Sequence, residues 1–188
     1  PQRQGLIHSF FAERANTKIP ELKEGKPIEL NKIGIIGGGT MGTGISMAAM
    51  NAGFNVIMIE QNDEAIQKAK AKINSTYDRS VKLNRITTEQ KNKTMDMFSA
   101  TTNFSELKDR DLIIEAVFEN MDVKKEVFVK LNQICTQECI LASNTSYLNV
   151  NEIASVVDHP SRVIGLHFFS PAHSMKLLEV VVAEKSSK

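Results

Sequence analysis

Two absences narrow the function of this chain. Its 23 basic and 22 acidic side chains almost cancel, so it lacks the positive excess with which proteins bind nucleic acids or anionic membranes non-specifically. No apolar run approaches the roughly 18 residues that a membrane span needs. We therefore expect no nucleic-acid binding and no membrane insertion, and we expect small molecules or proteins as partners.

Cysteine is also scarce. Cys135 and Cys139 flank the sequence Thr-Gln-Glu, with no second cysteine pair and no nearby histidine to complete a metal site. We expect two reduced, structural thiols and no metal. The 188 residues are 41% hydrophobic, which is enough for one substantial core.

The start of the chain differs in character from the rest. Phe10 and Phe11 belong to an amphipathic segment with apolar residues at helical spacing. Residues 16–30 contain two prolines and a glycine among alternating charges, which is typical of a linker. We therefore divide the chain into an N-terminal helix and linker, residues 1–30, and a main domain, residues 31–188.

The main domain alternates short apolar runs with longer segments of helical pattern. The runs KIGII, NVIMIE, DLIIEAV, CILAS and RVIGLHF are rich in β-branched residues. The charged segment from Asn62 to about Phe98 should hold one long helix and a shorter one. Such alternation predicts an α/β fold, a doubly wound (Rossmann-type), mostly parallel sheet with helices on both faces.

A glycine-rich turn follows the first predicted strand directly. Residues 37–42 place the pattern G-x-G-x-x-G between that strand and a predicted helix. Gly37 would permit the tight turn, Gly39 the close approach of a pyrophosphate, and Gly42 the close packing of the helix on the strand. The amides of the helix N-terminus would face the phosphates. The candidate cofactor-binding residues of the turn are Gly37, Gly39, Thr40, Met41 and Gly42.

An acidic residue at the right distance strengthens this interpretation, because a lone glycine pattern could be a flexible turn. Glu60 ends the second apolar run, 23 residues after Gly37. There its carboxylate would hydrogen-bond the ribose 2′-hydroxyl of a dinucleotide. Residues 61–63 include no arginine for a 2′-phosphate. The pattern therefore predicts NAD as the cofactor.

Two polar residues occupy apolar surroundings near the C-terminus. His167 closes an apolar run, so it should lie at the carboxyl edge of the sheet, where doubly wound folds bind ligands. Glu179 lies within the run 177–182, where a carboxylate is costly to bury without a partner. A turn at residues 170–171 would pair Glu179 with His167 and equip the imidazole to take a proton from a substrate hydroxyl. The alternative is a satisfied core histidine, with Glu179 pointing outward from an edge strand.

Four motifs in order resemble one family. The glycine turn with Glu60, EAVFENMDVKKEVF, ASNTSYL and GLHFFSPAHSMKLLEV resemble the NAD-binding domain of L-3-hydroxyacyl-CoA dehydrogenases, which catalyse the third step of fatty-acid β-oxidation. The resemblance covers residues 32 to about 182. It implies oxidation of an (S)-3-hydroxyacyl-CoA to a 3-oxoacyl-CoA, with hydride transfer to NAD⁺.

The resemblance also implies roles for individual residues. His167 resembles the catalytic base and Glu179 the carboxylate that orients it. Ser146 resembles the hydroxyl that binds the reacting oxygen of the substrate. A simpler interpretation of Ser146 is a cap for the helix predicted at residues 149–155.

Four further positions match family contacts to the cofactor. Ala116, Glu119 and Lys124 match positions near the nicotinamide ribose, and Asn144 matches one near the nicotinamide. Glu119 could instead be an acid at a helix N-terminus, and Lys124 a solvated lysine.

Basic side chains on the long charged segment are candidates for the coenzyme A phosphates. Lys82, the substrate-binding candidate, lies nearest to the position of a family contact, although the residue that matches that position is Leu83. Lys68 and Lys72 stand four apart on one face of the predicted helix. Both phosphate binding and a solvated surface suit this pair, and we favour a solvated surface.

The exact residues of these motifs favour one branch of the family. Where many members have His-Phe-Phe-Asn-Pro, this chain has Ser170 before Pro171, so the role of that asparagine does not transfer. Peroxisomal multifunctional β-oxidation enzymes have segments similar to two in this chain, HFFSPAHxMxLLEV and the leading FFAER. The resemblance implies a peroxisomal location, with a mitochondrial one as the alternative. It also implies a homodimer formed through a helical domain that is absent from this sequence.

Two other functions stay open at this point. The chain could be a non-catalytic NAD-binding module, or a cofactor half that needs the helical domain for activity. It could also be another NAD-dependent dehydrogenase acting on a small hydroxy acid. Such enzymes commonly use a lysine as the base, and the presence of His167 and Glu179 argues against them.

Overall fold

A computed structural model describes residues 2–15 and 28–187. The first unit is helix α1 (Gln2–Ala15), which lies where the sequence predicts a helix and buries none of its residues. Most of the expected linker, residues 16–27, lies outside the described residues. The second unit runs from Leu30 to Ser187. No described helix is long and apolar enough to cross a membrane.

The second unit is a seven-stranded sheet with helices on both faces. Its strands are β1 (Lys32–Ile36), β2 (Asn55–Ile59), β3 (Phe98–Thr101), β4 (Leu112–Glu115), β5 (Ile140–Ser143), β6 (Val163–Phe168) and β7 (Leu178–Val182). Its α-helices are α2 (Thr40–Asn51), α3 (Asp63–Lys82), α4 (Thr88–Met95), α5 (Met121–Ile134) and α6 (Val150–Ala154). The expected α/β fold is confirmed.

The strand order places a switch point beside the glycine turn. The order is β3-β2-β1-β4-β5-β6-β7, and all neighbours are parallel except β6 and β7. The chain builds outward from β1 on one side and then returns to add β4 on the other. Ligands of doubly wound folds bind at such a point, outside the carboxyl ends of the strands.

The sheet is covered on both faces because its strand residues alternate between two cores. Ile35 of β1 and Met58 of β2 pack with residues of α2 and α3, including Ile73. Ile36 and its neighbours on that face pack with α5, including Phe128. Strands that bury both faces read as continuous apolar runs, which explains why these runs were visible in the sequence.

The charged segment after β2 folds as predicted into one long helix and one short one, α3 and α4. The Asn62 side chain caps α3 by accepting the Ala65 N–H (2.9 Å). Thr87 and Gln90 form a reciprocal capping box at the start of α4. The sequence analysis missed β3, whose residues Phe-Ser-Ala-Thr are partly exposed and lack an apolar run.

The core of α5 gives a direct test of this packing. Phe128 is fully buried against the sheet, whereas the adjacent Val129 is 39% exposed. We expect Phe128→Ala to lower the free energy of unfolding by about 3–5 kcal/mol, because the change leaves a cavity. Val129→Ala is the matched control and should change it by about 0.5 kcal/mol or less. Urea denaturation measures both, and equal losses would contradict the packing described.

Candidate functional site

The predicted site residues gather where four strands end. Gly37 follows β1, Ala116 follows β4 and Asn144 follows β5, while His167 is the penultimate residue of β6. These strands are neighbours in the sheet and run parallel. Their carboxyl ends therefore bring the glycine turn, the segment after β4, the ASNTSYL loop and the histidine to one edge.

The glycine turn is a close contact between backbones. Gly37 has φ +94°, and a Cβ there would lie 2.8 Å from the Ala116 carbonyl oxygen. A Cβ at Gly42 would lie 1.7 Å from the Gly37 carbonyl oxygen. Gly42 thus packs α2 on the turn itself, whereas the nearest strand atom, Ile35 Cγ2, would be 3.5 Å away. Only glycine fits at either position.

The start of α2 is open to an anion. Gly39 stands at the N-cap position, where it offers no side-chain cap, and a Cβ there would meet nothing within 4 Å. Intrahelical bonding begins with the Thr43 N–H, which donates to the Gly39 carbonyl (3.1 Å). The amides of the first turn, from Thr40 and Met41 onward, are the groups that bind phosphate in such loops. The open backbone fits a pyrophosphate.

Glu60 is held beside the same turn. One carboxylate oxygen accepts the Gly38 N–H and the other accepts the Gln61 N–H (3.0 Å). This position suits the predicted contact to the ribose. Gly38 was missed in the sequence, although a Cβ there would lie 2.8 Å from both Ala69 Cβ and Met58 Sδ. Three consecutive glycines were the available signal.

Lys124 is one of the most buried side chains of the described protein, at 1% exposed. Its Nζ lies 2.7 Å from Glu115 Oε1 and 3.1 Å from Glu119 Oε2. The alternative of a solvated lysine is therefore wrong. We call Glu115, Glu119 and Lys124 the acid–lysine cluster. Two carboxylates around one buried ammonium supply the pairing that a buried charge requires.

Glu115 is the member that the sequence analysis missed. It is fully buried, and its remaining acceptor sites take the Val117 N–H (2.8 Å) and the Ser143 hydroxyl (2.7 Å). Its position at the end of an apolar run, DLIIEAV, was the signal, and the same argument was applied to Glu179. The contacts join the ends of β4 and β5.

Glu119 connects the cluster to the ASNTSYL loop. Its Oε1 accepts the Thr145 hydroxyl and the Ser146 N–H (2.9 Å). Partial burial raises the pKa of Glu119, but the hydrogen bonds from Thr145, Ser146 and Lys124 outweigh it, so the pKa is lower than usual. The carboxylate thus stays ionised and holds Ser146 at the strand edge.

The alternative roles of Glu119 and Ser146 at helix N-termini are filled by other residues. Asn120 caps α5 by accepting the Val123 N–H (3.1 Å). Asn149 caps α6, whose first residue is Val150. Ser146 is exposed and lies outside the helix. Its hydroxyl therefore has no helix to cap.

Asn144 ties two strand ends together. Its Oδ1 accepts the Phe168 N–H (2.9 Å), and its own N–H donates to the Glu115 carbonyl (2.8 Å). The side chain predicted near the nicotinamide is thus fixed next to His167. Ala116 is fixed by its N–H, which donates to the Ile36 carbonyl (2.8 Å).

His167 and Glu179 face each other across the antiparallel pair β6 and β7. His167 Nδ1 lies 2.7 Å from Glu179 Oε2, and the imidazole contacts the Phe169 ring at a centroid distance of 4.6 Å. The predicted contact between the two side chains is present. Glu179 is 52% exposed, since β7 exposes all of its residues, so it contacts His167 without being buried.

The lysines of α3 differ from one another. Lys68 pairs with Glu64 (2.7 Å) on the exposed surface, as expected. Lys72 does not belong to a purely solvated face, because its Nζ lies 3.3 Å from Thr40 Oγ1. Lys82 is exposed in the last turn of α3, and its role in substrate binding stays a prediction.

Both thiols are free and buried, as expected for structural cysteines. The proximity of the two thiols lowers the pKa of Cys135, whereas the same proximity together with burial raises the pKa of Cys139. Within residues 2–15 and 28–187, no group of three or more His, Cys, Asp or Glu side chains could hold a metal ion.

The two glycines of the turn provide a matched pair of variants. Gly42→Ala places a methyl group against the Gly37 carbonyl, so we expect lower thermal stability together with loss of NADH binding. Gly39→Ala meets no atom within 4 Å, so stability should hold while the methyl group weakens NADH binding. Thermal melts and fluorescence titration with NADH test both. Unchanged stability in Gly42→Ala would contradict the described contact.

The acid–lysine cluster predicts a large effect of one buried charge. Lys124→Met leaves Glu115 buried without its cation, so we expect the free energy of unfolding to fall by about 3–5 kcal/mol. The matched control is Lys125→Met, since Lys125 is partly exposed and 3.5 Å from Glu152. Its loss should be about 1 kcal/mol or less. Similar losses in urea denaturation would refute the burial of the Lys124 charge.

Comparison with known proteins agrees with this geometry. Residues 32–188 match the family model described as 3-hydroxyacyl-CoA dehydrogenase, NAD binding domain. A peroxisomal fatty acid beta-oxidation multifunctional protein of Oryza sativa subsp. japonica is 38% identical over 189 residues, which cover 100% of this chain and 26% of the relative. The chain thus spans about a quarter of that relative.

Two shorter relatives extend the comparison. A 3-hydroxybutyryl-CoA dehydrogenase of Clostridioides difficile is 41% identical over 157 residues, 84% of this chain and 56% of the relative. The crystal structure of (S)-3-hydroxybutyryl-CoA dehydrogenase from Ralstonia eutropha superposes with a TM-score of 0.83 at 35% identity, covering 85% of this chain and 56% of that one. NAD is thus the cofactor of this domain. The chain belongs to the 3-hydroxyacyl-CoA dehydrogenase family, and residues 32–188 are its NAD-binding domain.

Proposed function

We propose that this chain takes part in the NAD-dependent oxidation of (S)-3-hydroxyacyl-CoA to 3-oxoacyl-CoA in fatty-acid β-oxidation. The observation that carries the proposal is the pair His167 and Glu179, in contact at 2.7 Å at the edge where the NAD-binding turn lies. An imidazole in that place can exchange a proton with a substrate hydroxyl. The names of the relatives supply the substrate class.

The two side chains divide the proton chemistry. Glu179 accepts a hydrogen bond from Nδ1 of His167, which leaves Nε2 as the nitrogen that takes the hydroxyl proton. The carboxylate then stabilises the imidazolium that results. In the reverse direction, the same Nε2 returns the proton to the ketone oxygen. Bound NAD⁺ supplies the hydride acceptor for C3 of the substrate.

The other candidates position the two ligands. Ser146, held by its N–H on Glu119, offers its hydroxyl to the reacting oxygen of the substrate. Glu60 binds the adenosine ribose, and Asn144 stands beside the nicotinamide. Ala116 and Glu119 line the approach to the nicotinamide ribose, and the buried Lys124 acts there by holding Glu119 (3.1 Å) in place. Lys82 contacts coenzyme A.

The setting of the reaction belongs to the same proposal. A peroxisomal location is supported by the multifunctional relatives that carry this word in their names. Homodimer formation through a helical domain, which the family resemblance implies, is part of it as well.

A turnover assay with variants tests the chemistry. We expect the chain to oxidise NADH with acetoacetyl-CoA, and His167→Gln to lower kcat by about 100-fold or more. Glu179→Gln should lower kcat as well, because the imidazolium loses its partner. Neither change should alter the Kd for NADH by more than about twofold, since neither side chain contacts the glycine turn. Absorbance and fluorescence titration give the two quantities.

Glu184→Gln is the matched control, because Glu184 is an exposed glutamate just beyond β7. It should leave both kcat and Kd unchanged. Full turnover in His167→Gln, or an equal loss of NADH affinity, would contradict the role of the pair. NADH binding without turnover in the unmodified chain would instead support a non-catalytic NAD-binding module, or a cofactor half that needs the helical domain for activity.

A further inference from the structure

A lysine on the long helix reaches the cofactor turn. Lys72 Nζ lies 3.3 Å from Thr40 Oγ1, and Thr40 is the first residue of α2. The face of α3 that carries Lys72 also meets the glycines, because a Cβ at Gly38 would lie 2.8 Å from Ala69 Cβ. Ala69 and Lys72 are three apart on one helix, so both project toward the same turn.

The charge of Lys72 is not neutralised by this contact. Thr40 offers a neutral hydroxyl, and no carboxylate of the described residues lies within 4.0 Å of Lys72 Nζ. Lys68, one turn earlier, is paired with Glu64 at 2.7 Å. The positive charge of Lys72 therefore adds to the positive end of the α2 dipole, at the place where the first-turn amides are open to an anion.

We propose that Lys72 is a cofactor-binding residue, whose ammonium donates to a phosphate oxygen of the dinucleotide at the start of α2. Thr40 holds the ammonium next to the turn before the ligand arrives. A charged hydrogen bond adds affinity that backbone amides alone do not provide. The proposal concerns the NAD site and holds whether or not the chain catalyses the proposed reaction.

Binding measurements on three variants test this role. Lys72→Met should weaken the binding of NADH and of ADP-ribose by about tenfold, and by the same factor, because both carry the pyrophosphate. Lys72→Arg should restore most of the affinity. Lys68→Met is the matched control and should bind both ligands as the unmodified chain does. The melting temperature of the free protein should be the same in all three.

The dependence on salt provides a second readout. Affinity for NADH should fall more steeply with ionic strength in the unmodified chain than in Lys72→Met, because one screened charge has been removed. Unchanged affinity for ADP-ribose in Lys72→Met would overturn the proposal. The proposal would also be overturned if Lys72→Met weakened the binding of coenzyme A and of neither NADH nor ADP-ribose, because that result would assign Lys72 to the substrate. A lower melting temperature together with loss of affinity in Lys72→Arg would show a structural role instead.

Discussion

The ion pairs of the buried Lys124 ammonium are the interaction on which the part of the site around the ASNTSYL loop depends. It reaches from α5 to Glu115, where β4 ends, and to Glu119, which holds the Ser146 N–H. Glu115 in turn holds the Ser143 hydroxyl at the end of β5. Because a charge buried without partners is unstable, the arrangement that satisfies all three charges is strongly specified. Lys124 thus sets the positions of the segment after β4 and of the ASNTSYL loop, which are separate in the sequence.

The two ends of the site are built by different means. At the glycine turn the backbone offers the groups proposed to bind the cofactor, and glycines at positions 37 and 42 let two segments of main chain touch. At the other end side chains on β6, β7 and the ASNTSYL loop provide the proposed chemistry. A backbone site recognises what all dinucleotides share, whereas the side chains determine which reaction accompanies binding. This division explains why the glycine pattern predicts the cofactor class, while the reaction is proposed from His167, Glu179 and Ser146.

The features that could be predicted from the sequence were those that leave a local or a repeated sequence pattern. Strands buried on both faces show as apolar runs, and the glycine pattern implies a tight turn, so most of the sheet and the geometry of the glycine turn could be predicted from the sequence. The pairing of His167 with Glu179 followed from a turn expected at residues 170–171 between two apolar runs, and the connection between β6 and β7 spans residues 169–177. Strand β3 lacks an apolar run and was missed. The contact of Lys124 with Glu115 depends on where α5 packs, and that of Lys72 with Thr40 on where α3 packs. Neither placement is encoded in a local pattern.

Within residues 2–15 and 28–187, strand β7 has a single neighbour in the sheet, and all five of its residues are exposed. Glu179 therefore reaches His167 only as long as this outermost strand stays hydrogen-bonded to β6. Edge strands with few buried contacts open at a smaller free-energy cost than the sheet as a whole. Fraying of β7 would separate the two side chains while the glycine turn stays folded. The persistence of the pair is thus governed by a local opening equilibrium and not by the global stability of the domain.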